Sequence, residues 1–279
     1  MRILHPTDFS STAEKALALA RDLRQRVDGA LHIVHVQQRF ESAQAHPFLQ
    51  PQLDSLSPEL TRRLEEARRE EVDRLRNMLD HLASPDATSE LRWGEPLPEI
   101  LDAARSADMV VMGAHGTNRL DNYFLGGIAG RLVRRSPAPV ITVRDEVTSL
   151  EVRRILVATD FGEASHEAWE CCRKLAKHGI KLVVAHVLDD DRVRDSPDYM
   201  NTVTDALDRL VGDVAERHVV REGNPATVLP ALAEEVGADV IAIGVRRHTA
   251  ALGLLLGSRA DMLIRSSAVP IMSVPQPRA

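Results

Sequence analysis

Several glycines between residues 113 and 127 have the spacing of a segment that could bind a phosphate group. The segment begins with Gly113-Ala114-His115-Gly116 and is followed, after nine intervening residues, by Gly126-Gly127. Glycine lets backbone N–H groups approach a ligand closely, and the N-terminus of a helix presents free N–H groups with partial positive charge. We therefore expect a helix that begins at Gly126-Gly127 and directs its N–H groups toward phosphate oxygens.

A carboxylate and the end of a predicted strand could complete this site. Asp8 follows the apolar residues near the N-terminus, where its carboxylate is placed to accept hydrogen bonds from a ribose. A second apolar run ends at Val36, where a backbone N–H and C=O could contact the edge of an adenine. In open parallel sheets, ligands bind beyond the carboxyl ends of the strands, and these residues stand there.

The sequence contains the same unit twice, so these residues have counterparts. Thr7-Asp8-Phe9 recurs as Thr159-Asp160-Phe161, and Val36 corresponds to Val187. The matching blocks are residues 3–9 with 155–161, 31–36 with 182–187, 94–96 with 223–225, 107–113 with 238–244, and 139–143 with 270–274. Repetition over this length indicates tandem domains rather than a solenoid. We place the two domains at residues 1–146 and 152–277.

Each copy alternates short apolar runs with helical patterns. Residues 109–112 and 240–243 are apolar throughout, which is typical of parallel strands that are covered on both faces. Residues 12–27 carry apolar side chains at spacings of three and four, which favours an amphipathic helix. The pattern predicts an α/β protein with two tandem doubly wound parallel-sheet domains.

The last predicted strand of each copy, at residues 140–143 and 271–274, is an edge strand that needs covering. We expect these strands to meet, so that the copies pack about a pseudo-twofold axis as an intramolecular pair. A homodimer of whole chains is an open alternative. The first copy also carries an insertion at residues 40–56, which we interpret as an exposed loop.

The glycine spacing, together with Thr7-Asp8-Phe9-Ser10 and His35-Val36, resembles the universal stress protein family over nearly the whole chain, in both copies. The ATP-binding branch of that family has the pattern Gly-x2-Gly-x9-Gly-Ser/Thr. The resemblance implies a fold like that of adenine nucleotide α-hydrolases, and binding of ATP or another adenine nucleotide, with or without Mg²⁺. The nucleotide-binding residues that it implies are Pro6, Thr7, Asp8, Val36, Met112, Gly113, Gly116, Gly126, Gly127, Ile128, Thr159, Asp160, Val187, Gly244, Arg247, Gly257 and Ser258.

Both copies depart from the family pattern. Gly127 stands where the first copy should have a hydroxyl residue, which removes one side-chain hydrogen bond of about 0.5–1.5 kcal/mol. In the second copy, Arg247 stands at the position of the second glycine, whereas the closing pair Gly257-Ser258 is intact. The Arg247 side chain could fill the space of the sugar-phosphate or bind a phosphate through its guanidinium. We favour obstruction, and therefore expect nucleotide binding in the first copy before the second.

Each candidate residue also has a purely structural interpretation. Gly113 and Gly244 could be turns at strand ends, and the two aspartates could cap the following helices. His35 and His186 alternate with apolar residues, so we interpret them as half-buried strand positions rather than catalysts. His115 is the histidine nearest the predicted phosphate site, and a solvent-facing turn residue is the interpretation we favour for it.

Composition excludes several classes of protein. The 279 residues suggest about two domains, and 35 Lys and Arg against 41 Asp and Glu give a net charge of -6, which disfavours nucleic acid as a partner. The chain has no apolar stretch that could span a membrane and no signal-peptide pattern. Its two cysteines, Cys171 and Cys172, are adjacent, so we expect buried thiols in a reducing cytoplasm.

The sequence lacks the motifs of the common nucleotide-using enzymes. It has no P-loop motif, no Gly-x-Gly-x-x-Gly fingerprint, no His-Glu-x-x-His metal motif and no Gly-x-Ser-x-Gly elbow. Residues 189–191 are three aspartates that could hold a cation, although a solvated turn is the interpretation we favour. We therefore predict a stress-response protein that acts by binding and signalling rather than catalysis. The alternatives are a nucleotide-free scaffold and a weak ATP hydrolase or nucleotidyl transferase.

Overall fold

The computed structural model describes residues 1–38, 58–116, 127–189, 197–246 and 258–276. The strands are β1 (Arg2–Pro6), β2 (Ala30–Gln37), β3 (Thr88–Trp93), β4 (Met109–Gly113), β5 (Val140–Val143), β6 (Arg154–Thr159), β7 (Lys181–Leu188), β8 (Arg217–Glu222), β9 (Val240–Val245) and β10 (Ile271–Pro275). The helices are α1 (Ser11–Arg26), α2 (Pro58–Ala83), α3 (Pro96–Ala104), α4 (Gly127–Arg135), α5 (Glu163–Ala176), α6 (Pro197–Val211), α7 (Pro225–Val236) and α8 (Ser258–Ser266). The predicted insertion at residues 40–56 lies outside the described residues.

The described strands form one sheet in the order β3-β2-β1-β4-β5-β10-β9-β6-β7-β8. Neighbours within each repeat are parallel, whereas β5 and β10 pair antiparallel with Ile141 opposite Met272. The second half of the order mirrors the first, which is the arrangement that a pseudo-twofold axis between repeats produces. The predicted fold class and the predicted meeting of the two final strands are therefore confirmed.

The hydrophobic core is divided by the faces of the sheet and not by the repeats. One layer contains α1, α2, α5 and α6 against one face, and the other contains α3, α4, α7 and α8 against the opposite face. Val110 and Val111 are both fully buried although they point to opposite faces, as expected of a strand covered on both sides. Because each layer contains residues of both repeats, the repeats share both layers of the core.

The segment that joins the repeats packs against α1. Val147 and Val152 are buried, and the ammonium of Lys15 donates to the carbonyl oxygen of Val147 at 3.0 Å. The Asp22 carboxylate accepts a hydrogen bond from the backbone N–H of Val152 at 2.7 Å. This join is therefore fixed to α1 by hydrogen bonds just before β6 begins.

The adjacent cysteines lie on α5, where Cys172 is fully buried. Burial raises the pKa of the Cys171 thiol to about 11, so the thiol stays protonated at neutral pH. Cys172 is therefore a small packing residue, as expected, whereas Cys171 is only half-buried. In the described part of the chain, no helix combines the length and the apolar character that crossing a membrane requires.

His5 is a titratable residue that lies in the core. It lies fully buried on β1, and its Nδ1 donates to the carbonyl oxygen of Val111 at 2.8 Å. Burial lowers the pKa of His5 from 6.5 to about 4, against the raising effect of the Val111 hydrogen bond, and the charge of Arg21 lowers it further. The corresponding residue of repeat two is Val157, so the second repeat lacks this titratable group.

We predict that His5→Val makes the stability less dependent on pH. The unfolded His5 binds a proton below about pH 6.5, whereas the folded residue stays neutral down to about pH 4, so the folded state loses stability as the pH falls through this interval. The loss due to His5 is about 2–3 kcal/mol at pH 4.5. Urea denaturation at pH 7 and at about pH 4.5 measures the free energy of unfolding, which should fall more between the two pH values in the wild type than in the variant. His81→Gln, at an exposed site on α2, is the control, and equal falls in wild type and His5→Val would contradict the prediction.

Candidate ligand-binding clefts

The carboxyl ends of β1, β2 and β4 meet at one edge of the first repeat, where they enclose a cavity of ≈ 440 Å³ with the N-terminus of α4. This volume lies within the range of small-molecule sites, about 300–1,000 Å³. The predicted residues that line this cavity are Pro6, Thr7, Asp8, Val36, Met112, Gly113, Gly116, Gly127 and Ile128. Gly126 lies outside the described residues. The structure thus brings together every described residue that was predicted for the first site.

A tight turn after β1 directs Asp8 toward this cavity. The Thr7 hydroxyl accepts a hydrogen bond from the Phe9 N–H at 3.1 Å, and Asp8 Oδ1 accepts one from the Ser10 N–H at 3.1 Å. Phe9 has a φ of 61°, a left-handed conformation that costs free energy for a residue with a side chain. His35 supports the turn, because its Nδ1 donates to the Thr7 carbonyl at 2.8 Å and its ring lies 4.7 Å from that of Phe9.

The helix-capping interpretation of Asp8 is wrong. The residue that caps α1 is Ser10, whose hydroxyl accepts a hydrogen bond from the Ala13 N–H at 3.3 Å. Asp8 instead faces the glycine segment, since a Cβ on Gly116 would lie 2.7 Å from Asp8 Oδ2. The carboxylate and the glycine backbone therefore border the same space.

The glycines at the ends of β4 and β9 have a packing reason. A Cβ on Gly244 would lie 2.1 Å from the backbone carbonyl of Ala164, so the N-terminus of α5 approaches the strand too closely for any side chain. A Cβ on Gly113 would lie 2.9 Å from the Thr12 hydroxyl, a less severe contact with a side chain. The interpretation of these glycines as turns is wrong, because Gly113 is the last residue of β4 and Gly244 lies within β9. Their packing role is compatible with their position beside a cleft.

The second repeat has a corresponding cavity of ≈ 340 Å³. Thr159, Asp160, Val187 and Gly244 line it, as predicted. Arg247 and Gly257 lie outside the described residues, and Ser258 is the first residue of α8. These four predicted residues therefore lie together around one cavity, as the predicted residues of the first repeat do.

Asp160 makes more polar contacts than the sequence indicates. Its Oδ1 accepts hydrogen bonds from the Gly162 N–H at 2.9 Å and from the Ser165 hydroxyl at 2.7 Å. Its Oδ2 lies 3.0 Å from Nη2 of Arg246. Burial alone would raise the pKa of Asp160, but these hydrogen bonds and the charge of Arg246 hold it below its usual range.

The sequence interpretation missed one wall of each cavity and several charged groups. Pro96 and Ile100 of α3 line the first cavity, and Pro225 and Leu229 of α7 line the second. The repeated blocks 94–96 and 223–225 were the available signal, because each repeat conserves a proline at the start of this helix. The charged residues missed were Arg131 in the first cavity and Arg246 and Arg259 in the second.

A third cavity, of ≈ 1120 Å³, lies between the repeats, and none of the predicted site residues lines it. Both repeats contribute to its walls, for example through Arg105 and Lys174. Among the described residues, no group of three or more His, Cys, Asp or Glu side chains could hold a metal ion. Two members of the predicted aspartate cluster, Asp190 and Asp191, lie outside the described residues.

Two doubly wound α/β repeats that share one sheet, each with a cleft at its strand ends, define a tandem α/β protein with paired clefts. The chain belongs to the universal stress protein family, whose sequence model matches residues 1–144 and 151–275. A universal stress protein of Mycolicibacterium smegmatis is 26% identical over 290 residues, which cover 98% of this chain and 96% of that protein. Universal stress protein Rv2005c of Mycobacterium tuberculosis is 26% identical over 200 residues, covering 66% of this chain and 67% of that protein.

Solved structures give the same fold. The crystal structure of a universal stress protein from Archaeoglobus fulgidus matches with a TM-score of 0.71 and 22% sequence identity. The match covers 99% of this chain and 98% of that one. The fold of this chain, over both repeats, is therefore similar to that of a known member of the family.

The two strand-end glycines should differ in their tolerance of a methyl group. We predict that Gly244→Ala lowers the free energy of unfolding by about 3 kcal/mol, because its Cβ would overlap backbone that cannot move independently. Gly113→Ala should cost less, about 1–2 kcal/mol, because its Cβ would lie 2.9 Å from the Thr12 hydroxyl, a less severe overlap than 2.1 Å from backbone. Urea denaturation measures both, and equal losses would contradict the close approach of α5 to β9.

Proposed function

We propose that the cavity of the first repeat binds an adenine nucleotide, ATP or a close relative, and that the protein acts in the stress response by binding and signalling. The observation that carries this proposal is the convergence of Asp8, Val36 and the N-terminus of α4 on one cavity. The proposed domain boundaries, residues 1–146 and 152–277, assign one such cavity to each repeat.

The phosphate end of the proposed nucleotide lies at α4. Gly127 and Ile128, in the first turn of this helix, line the cavity together with Gly113 and Gly116. Free N–H groups and the positive end of the helix dipole favour an anion at this position. Arg131 also lines the cavity and adds a positive charge to the same wall.

The nucleoside end lies across the cavity. Asp8 accepts hydrogen bonds from the ribose hydroxyls, and the backbone at Val36 contacts the adenine edge. Ile100 and Pro96 supply an apolar wall for the base. The lining thus combines a carboxylate, positively charged groups and apolar side chains, which are the groups that the proposed ligand requires.

Binding without rapid turnover fits the side chains that are present. His35 donates its Nδ1 proton to the Thr7 carbonyl and so is committed to the turn. Among the described lining residues of this cavity there is no lysine, and the one carboxylate is Asp8. We assign Asp8 to the ribose, which leaves no second carboxylate there to activate a water. A phosphate-release assay with ATP tests this assignment, and steady release well above background would favour the hydrolase alternative.

We predict that Asp8→Asn weakens ATP binding by about tenfold or more, because a hydrogen bond to a charged group contributes about 1.5–3 kcal/mol. Isothermal titration calorimetry measures the change. The wild type should also bind ATP more tightly than 2′-deoxy-ATP, and the variant should lose this preference. The asparagine retains an acceptor for the Ser10 N–H, so the turn should survive.

Asp205→Asn, at an exposed position on α6, is the matched control and should bind ATP as the wild type does. No binding of ATP or ADP by the wild type would favour the nucleotide-free scaffold. Equal affinity of the wild type for ATP and its 2′-deoxy form would contradict the role of Asp8.

Two glycines of the cavity should respond in opposite directions. Gly116→Ala places a methyl group 2.7 Å from Asp8 Oδ2, which must displace the carboxylate and weaken ATP binding. A Cβ on Gly127 meets no atom within 4 Å, so Gly127→Ser adds a hydroxyl at the helix N-terminus without a clash. We predict that Gly127→Ser tightens ATP binding about two- to tenfold through one added hydrogen bond. Calorimetry measures both, and tighter binding by Gly116→Ala would contradict the placement of Asp8.

A further inference from the structure

The two cavities have diverged at three corresponding positions. Arg246 of the second repeat takes the place of His115, since both stand two residues after the matching strand-end glycine. One residue into the last helix of each repeat, Arg259 takes the place of Ile128. Directly after the second strand's end, Asp189 corresponds to Gln38. The second cavity therefore carries three charged groups at places that are uncharged or weakly basic in the first.

These charged groups form two ion pairs within the second cavity. The guanidinium of Arg246 lies 3.0 Å from Asp160 Oδ2 and joins the ends of β9 and β6. The guanidinium of Arg259 contacts the carboxylate of Asp189 and joins the start of α8 to the end of β7. All four residues line the cavity. The second pair thus spans the cavity from the phosphate side to the adenine side.

The Arg246 pair engages the carboxylate that corresponds to Asp8. Asp160 Oδ1 already accepts two hydrogen bonds, from Gly162 and Ser165, and Arg246 takes Oδ2. In the first repeat the position of Ser165 is held by Ala13, which has no hydroxyl. A ribose in the second cavity must therefore displace the guanidinium or share the acceptor with it.

We propose, on the basis of the function proposed above, that these two ion pairs are the specificity-determining contacts that weaken nucleotide binding in the second cavity. The pairs are partly exposed, with side-chain exposures of 57% and 60% for Arg246 and Asp160. Exposed ion pairs contribute little each, so one pair lowers the affinity by about two- to fivefold and the two together by about tenfold. The chain thus has one tight and one weak nucleotide cavity.

The test restores the first repeat's residues in the second. The double substitution Arg246→His and Arg259→Ile is made in a background of Asp8→Asn and Gly116→Ala, which both weaken the first cavity, so that the second cavity becomes the tighter of the two. We expect calorimetry with ATP to show an affinity about tenfold higher than that of this background alone. Arg221→Ala, which removes the exposed pair with Glu235 on the same repeat, is the control and should leave the affinity unchanged.

Weaker binding by the double substitution would overturn the proposal, because the arginines would then hold the phosphates. An unchanged affinity would overturn it as well. A third contradictory result is tighter binding by Arg247→Gly in the same background when the double substitution has no effect. Arg247 would then be the residue that obstructs the second cavity. Circular dichroism melting of each variant verifies folding.

A different measurement shows whether the proposal for the first cavity is wrong. In that case Asp8→Asn alone binds ATP as tightly as the wild type does, whatever the second-cavity variants do. The two proposals therefore have distinguishable outcomes.

Discussion

The turn after the first strand of each repeat is the constraint on which the site depends. Phe9 and Phe161 both adopt left-handed backbone, at φ 61° and 57°. In both repeats the preceding threonine hydroxyl accepts the phenylalanine N–H, and a histidine donates to the threonine carbonyl. A strained conformation that recurs with the same hydrogen bonds is held in place by its surroundings. Its consequence is an aspartate that faces the cleft instead of capping the next helix.

The sheet places the two copies of this turn in one rigid frame. Pairing of β5 with β10 turns two five-stranded units into a single sheet, and each core layer runs across the junction. A shared core explains how the repeats can keep the same architecture while their clefts diverge. A change in a packing residue affects a core layer that both repeats share. His115 and Arg246 line separate cavities, so a change at one of them affects one repeat.

The sequence predicts the fold well because repetition and apolar patterning are properties of whole segments. The edge strands 140–143 and 271–274 were correctly matched, since an uncovered strand needs a partner. Single contacts were harder to anticipate. The close approach of Ala164 to Gly244 and the Arg246–Asp160 pair depend on the distance between segments far apart in the chain. His5 was missed because its neighbours in sequence do not reveal that its ring is fully buried and bonded to the Val111 carbonyl.

Native mass spectrometry of the protein, taken directly from purification and again after addition of ATP, tests the central claim most directly. The account predicts that the purified chain carries the mass of one adenine nucleotide, that a second is taken up only at higher ATP, and that Asp8→Asn lowers the occupancy found after purification. A chain that carries no added mass even in excess ATP would contradict it, as would a nucleotide that remains bound with unchanged occupancy in the Asp8→Asn variant.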